Sequence, residues 1–258
     1  MFRITRTQLA RFESAAVSTF EEAMLARGAA LAPRTAARLG REQMLVVVRS
    51  AIARAARHGL TLKGPVGLFV ELTFLFGSGF DADVQLPWAR ACLQDVAAHG
   101  EMLAASSLHT ASLAAQRQIH GPGDRHLDAA RRRLAILVER LPPLRSGDLE
   151  AVVLEALRLV HPQKYAFVGE PALRALIAAG EAEAARLGRV GLPDVLLLVA
   201  LMFVFGQRCT EDPLYPWIDG AGSRSSTSIA APALEAQAIE ATASTWLRQV
   251  LTLTELSP

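Results

Sequence analysis

The sequence predicts an all-α protein made of two tandem pseudo-symmetric helical repeats packed as one body. Three observations lead there. The chain is 51% hydrophobic but only 6% aromatic, so Ala, Leu and Val supply its apolar content; Ala and Leu favour helix, whereas strands lean on β-branched and aromatic residues. Two segments, Val66 to Phe76 and Val195 to Phe205, are apolar over 11 residues each. That is short of the ~20 residues a membrane span needs and suits buried core helices. Finally, sliding the sequence against itself by 129 positions aligns Val66, Leu68, Val70, Leu72, Phe74, Phe76 and Gly77 with Val195, Leu197, Val199, Leu201, Phe203, Phe205 and Gly206. At the same offset Asp83 falls on Asp212 and Pro87-Trp88 on Pro216-Trp217, with weaker matches at Glu21/Glu150, Leu25/Leu154, Pro33/Pro162 and Gly40/Gly169. Apolar coincidences are common in so Leu-rich a chain, but Trp, Pro, Gly and Asp matching at one offset are not.

The elements follow in order. A first helix is expected from Thr5 to Arg27: Thr5-Arg6-Thr7-Gln8 has the capping-box pattern, and Leu9, Phe12, Ala16, Phe20 and Met24 follow at helical spacing. A loop holding Pro33 ends it. The second, Arg41 to His58, places Met44, Val47, Val48, Ala51, Ile52 and Ala55 on one face, with Gly59 as its C-terminal cap. The third, Pro65 to Phe76, opens on a proline near its first position. A strand is the alternative for so short an apolar run, but the proline start, the glycine stop and the lack of a hairpin partner favour helix. A polar loop from Ser78 to Leu86 leads into a short helix from Pro87 toward Val96 and a longer one from Glu101 to Gln118.

Gly121-Pro122-Gly123-Asp124 is the strongest loop cluster in mid-chain. The first repeat is accordingly residues 1–121, the linker 122–128 and the second repeat 129–258, which closes with a Ser-rich loop from Gly222 to Ser228 and a helix from Pro232 to Leu251. Residues 41–88 and 170–217 are expected to form the same helix–helix–loop unit, related by a pseudo-twofold rotation. Glu71 interrupts the third helix where its counterpart is Ala200, and is read as sitting at the helix's wet edge.

Charge and cysteine usage exclude several classes. With 27 Lys and Arg against 25 Asp and Glu, the chain is near balance, and Arg131-Arg132-Arg133, flanked by Asp128 and Glu139, reads as a solvated helix face. No nucleic-acid partner is expected. Cys92 and Cys209 form no metal spacing or disulfide framework, and the chain's start lacks the apolar core of a signal peptide; a cytoplasmic protein without a membrane span is expected. His58, His99, His109, His120, His126 and His161 make no helical metal pair, and no phosphate loop or nucleophile elbow occurs. No cofactor, metal or catalytic residue is therefore assigned, and the protein is read as non-enzymatic.

The feature most worth a role is the repeated acidic loop, Phe80-Asp81-Ala82-Asp83 through Pro87-Trp88 and Thr210-Glu211-Asp212-Pro213 through Pro216-Trp217. Paired carboxylates can move protons or hold a hard cation, or simply cap the turn that carries the Trp. Asp81, Asp83, Trp88, Glu211, Asp212 and Trp217 are the candidate partner-binding residues. Arg57 and Arg186, matched across the repeats, are expected to pair with Asp83 and Asp212 and fix each loop to the second helix of its own repeat; a shared anion site at the two arginines is the alternative. Trp88 and Trp217 are expected to plug the seam between loop and core, each indole N–H meeting a carbonyl.

The series Ala55-Ala56-Arg57-His58-Gly59, Leu72 to Gly77, Phe80-Asp81-Ala82-Asp83 and Leu86-Pro87-Trp88-Ala89 resembles small helical bacterial proteins of unassigned function encoded beside type VI secretion and polymorphic-toxin genes. It covers about 35 residues, repeated as Ala184 to Trp217, where Cys209 replaces Phe80 and Leu187 replaces His58. The resemblance implies an accessory role with effectors, as an adaptor, chaperone-like or immunity protein, and brings no catalytic residues with it. The expected function is thus non-catalytic binding of another protein, an effector or toxin. The alternatives are an immunity protein for one cognate toxin and an enzyme using the acidic loops.

Overall fold

The computed structural model describes residues 5–94, 96–140, 149–189 and 191–219; the Gly222–Ser228 loop and the Pro232–Leu251 helix read from the sequence lie outside them. All regular structure among the described residues is helical. Helix α1 (Arg6–Leu31) runs four residues past its predicted end and turns through Ala32 straight into α2 (Pro33–Arg57), whose first position is the proline expected in a loop. Pro33 is tolerated there because the missing N–H has no intrahelical acceptor anyway. Gly40, at φ 71° and ψ 170°, breaks α2 internally, so the piece beyond it starts at Arg41, where the sequence puts it. Met44, Val47, Val48, Ala51 and Ala55 are buried on one face.

Helix α3 (Lys63–Phe76) is buried nearly all round and stops at Gly77. Its single acid, Glu71, is half-buried and bonded to Arg27 at 2.7 Å. A 3-10 turn at Phe80–Ala82 leads to α4 (Pro87–Gln94), α5 (Val96–His99) and α6 (Glu101–Ile119). The predicted linker is not a slack connection: Pro122–Asp124 forms a 3-10 turn and residues from Arg125 on belong to α7 (Arg125–Glu139), with Asp128 taking two hydrogen bonds from Arg34. Helices α8 (Leu149–Val160), α9 (Pro162–Val168), α10 (Glu170–Arg186), α11 (Leu192–Phe205) and α12 (Pro216–Asp219) complete the described chain.

Two hydrophobic cores form, one from α1, α2, α3, α4 and α6, the other from α7, α8, α10 and α11. They are joined where α3 and α11 end. The loop after each of these helices reaches across: Leu214 is buried in the first core, and Val84 packs on the second. Gln43 donates to the Pro213 carbonyl and the Gln85 amide to that of Met202, both between the halves. Equal residue spacing accompanies equal geometry. Helices α3 and α11 have bounds 129 positions apart, Gly40 and Gly169 share one backbone conformation, and so do Gly77 and Gly206.

The junction leaves no room for a side chain on the helix-terminating glycines. A Cβ on Gly77 would lie 2.9 Å from the Phe205 carbonyl oxygen, and one on Gly206 would lie 3.2 Å from that of Phe76. Both glycines have φ near +100° with extended ψ, a region other residues enter at a cost of about 1–3 kcal/mol. Gly77→Ala is therefore expected to destabilise the protein by more than Gly40→Ala, whose Cβ would meet open space at a similarly glycine-favouring backbone. Urea unfolding of the two variants measures this, and equal losses would contradict the tight junction.

Candidate functional site

The acidic loops turn out to be buried connectors. Asp83 and Asp212 are 5% and 3% exposed. Each carboxylate first closes its own turn, Asp83 accepting from the Gln85 N–H at 2.9 Å and Asp212 from the Leu214 N–H at 2.9 Å. Each then reaches the other half: Asp83 accepts the Gln207 N–H at 2.8 Å, and Asp212 the Ser78 N–H at 2.7 Å. These amides directly follow Gly206 and Gly77, so each loop's acid ties down the chain leaving the other half's apolar helix. Burial raises the Asp212 carboxyl above its usual range, opposed by the amides of Leu214 and Ser78.

The expected pairing of Arg57 with Asp83 and of Arg186 with Asp212 is therefore not made. Arg57 is exposed and has no ion pair among the described residues, while Arg186 bonds Glu183 at 2.6 and 2.5 Å and comes within 3.9 Å of Glu211. The loop is anchored to the second helix by other residues. Asp81, 4% exposed, takes hydrogen bonds at 2.6 Å from Arg54 Nε and from His58 Nε2. In the second half Thr210 Oγ1 donates to Glu183 at 2.6 Å. Arg54 and Glu183, and likewise Asp81 and Thr210, are 129 positions apart: one contact with its polarity reversed. The acid that anchors the loop to its own helix is Asp81, two residues before Asp83, and the arginine is one turn before Arg57.

Trp88 and Trp217 do plug the seam, each edge-on to the last residue of an apolar helix. Trp88 lies 5.7 Å from Phe76 and Trp217 5.9 Å from Phe205, centroid to centroid. The Trp88 indole N–H meets no acceptor among the described residues, contrary to expectation. Of the six candidate partner-binding residues, Asp81, Asp83 and Asp212 are buried, the two tryptophans half-buried, and only Glu211 is exposed, bonded to Arg208. They are brought together around the junction but do not form an outward-facing surface. Cys209 is also buried there, its thiol pushed well up by burial and by nearby carboxylates, which makes it unreactive.

Two features escaped the sequence reading. One is an apolar groove of about 810 Å³ between α7 and α8, lined by Ile136, Leu137, Val152, Ala156, Leu159 and Val160, with Arg133, Arg140 and Glu155 among its polar residues. Ile136 and Leu159 are 59% and 61% exposed. Large aliphatic residues on the outward side of a helix were its available signal. The other is a cavity of about 190 Å³ where α2, α6, α7 and α9 meet the ends of α3 and α11. It holds His161 and Lys164, both buried; one of only two lysines in the chain was a hint that spacing alone did not develop. Searches against protein-family models, curated proteins and solved structures found no match to this chain.

His161 caps α9 by accepting the Lys164 backbone N–H on Nδ1. Burial, then the Lys164 charge, lower its pKa from 6.5 to about 3. Between those values the unfolded chain holds a proton that the folded chain does not, so stability is lost as pH falls through the window, at up to about 1.4 kcal/mol per pH unit. His161→Asn keeps a capping oxygen without the titration, and its unfolding free energy is expected to fall less steeply between about pH 6 and 4. A slope identical to wild type would remove His161 as the cause.

Loss of a latch carboxylate should be severe. Asp212→Ala orphans the amides of Ser78 and Leu214 and is expected to cost on the order of 2–4 kcal/mol, while Arg57→Ala stays within about 0.5 kcal/mol. Chemical unfolding of both variants checks the assignment, and a comparable loss in the two would reverse it.

Proposed function

We propose that the chain is a tandem duplication of one helix–helix–loop unit and that it works by binding another protein, as an adaptor or chaperone-like accessory of an effector or toxin secretion locus. The duplication is supported by the matched hydrogen bonds at one offset: the Gln207 N–H to Asp83 with the Ser78 N–H to Asp212, and the Gln85 N–H to Asp83 with the Leu214 N–H to Asp212. The binding role rests on the groove between α7 and α8. Exposed Ile136 and Leu159 stand over a wide apolar cleft, and concentrated exposed apolar surface marks an interaction site more often than chance. Its aliphatic lining with Arg133, Arg140 and Glu155 beside it suits the apolar face of an amphipathic helix, inserted as residues three and four apart.

This changes which residues meet the partner. Asp81, Asp83 and Asp212 support the fold from within, and the groove supplies the contact. An enzyme using the acidic loops is disfavoured because those three carboxylates are occupied by hydrogen bonds from the protein itself. An immunity protein is the same reading with a toxin as the ligand.

Affinity purification from the native host, comparing wild type with Ile136→Asp/Leu159→Asp, tests the proposal. Wild type is expected to bring down one stoichiometric partner. The double variant, with unchanged circular dichroism, should bind it at least ~30-fold more weakly, as loss of an anchor worth about 2 kcal/mol requires. A partner retained equally by both proteins would exclude the groove.

A further inference from the structure

We infer that the cavity at the junction of the two halves is a binding site for a small oxyanion, held chiefly by Lys164 and Arg131. Its walls come in pairs 129 positions apart: Leu75 with Val204, Phe76 with Phe205, Ala32 with His161, Thr35 with Lys164, and Leu86 with Tyr215. The cavity thus lies between equivalent surfaces, yet in the last three pairs the second half supplies an imidazole, an ammonium and a phenol where the first supplies Ala, Thr and Leu. A void between apolar walls closes most simply by apolar packing; here polar donors are gathered around it instead.

The hydrogen-bond inventory fixes the sign of the ligand. Lys164 is 7% exposed and donates to the Phe203 carbonyl at 2.5 Å, leaving further N–H donors on the ammonium. It has no carboxylate within ion-pair distance among the described residues. Asp83, whose charge acts on it, already accepts three N–H groups, from Gln85 twice and Gln207 once. His161 uses Nδ1 as an acceptor, so the neutral ring carries its proton on Nε2, which is directed to the amide oxygen of Gln163 rather than left over for a ligand. Arg131 Nε is buried and unbonded.

Acceptors are scarce by comparison. Asp128 is shared by Arg34 and Arg131, and Asp124 lies 3.4 Å from His120 Nδ1. Among the lining residues Arg34, Arg131 and Lys164 face Asp124 and Asp128, and Asp83 acts on Lys164 from outside the lining. Burial lowers the Lys164 pKa to about 8, so the ammonium persists at neutral pH. The spare N–H donors of Lys164 and the unbonded Arg131 Nε call for a ligand that accepts hydrogen bonds, which is the chemistry of phosphate and carboxylate. A volume of about 190 Å³ equals roughly six water molecules, enough for a phosphate group or a short dicarboxylate.

Titration calorimetry on the full chain at neutral pH, with inorganic phosphate and separately with succinate, tests this. Saturable binding of at least one anion to a single site is expected, and the anion that binds distinguishes a phosphate-bearing from a carboxylate-bearing ligand. Lys164→Met and Arg131→Gln should each weaken binding by about tenfold or more, the loss of one hydrogen bond to a charged group. Thermal unfolding shows whether each variant is folded; if Lys164→Met is not, Arg131→Gln alone decides. Absence of saturable binding to wild type, or a folded variant that binds as wild type does, overturns the assignment.

Discussion

The structure depends on two buried carboxylates that each serve the opposite half of the chain. Helices α3 and α11 are the most apolar elements and both terminate at the junction, at Gly77 and Gly206. The chain just past each helix is half-buried, and the N–H groups of Ser78 and Gln207 there take acceptors from the protein. Asp212 and Asp83 provide them across the junction. Charged acceptors make stronger hydrogen bonds than neutral ones, and removing one strands the amides it served. Exchange of Leu214 and Val84 between the cores adds apolar burial to the same contact. Neither loop can leave without exposing part of the other half's core.

Around that frame the two halves differ in chemistry at positions 129 apart. The contact between loop and second helix is a buried acid with Arg54 and His58 in one half, and a hydroxyl with Glu183 in the other. Both contacts close their loop onto a helix with opposite charge arrangements. The differences at Ala32/His161 and Thr35/Lys164 give the junction cavity its donors. The groove between α7 and α8 belongs to the second half alone, since α7 folds onto α8 whereas α1 runs as one unbroken helix. Two sites of different chemistry, an exposed apolar groove and a cavity lined by buried N–H donors, thus arise within a single architecture.

Much of the fold was legible because its signals are local. The face of Met44, Val47, Val48, Ala51 and Ala55, the glycine stop at Gly77 and the proline start of α4 follow from helical periodicity and backbone restrictions. The loop holding Pro33 was misread because a proline that ends one helix can equally open the next. The site was less legible. The sequence marked Asp83, Asp212 and the tryptophans as special, but assigned the acids to their own repeats. The side chains of Asp81 and Asp83, two residues apart, leave the loop toward different helices, and only the 3-10 turn at Phe80–Ala82 decides which acid meets which partner.

By itself, then, the sequence determined the helical class, most of the element boundaries and the 129-position correspondence, because periodicity, caps and spacing are properties of neighbouring residues. Tertiary structure decided that the acids cross between halves, that Arg57 is left in solvent, and that His161, Lys164 and Arg131 share a cavity. Those outcomes depend on how two helical units meet. Hydrogen-bond partners more than 120 positions apart are selected by the packing of the two halves against each other, a condition that no local pattern in the chain encodes.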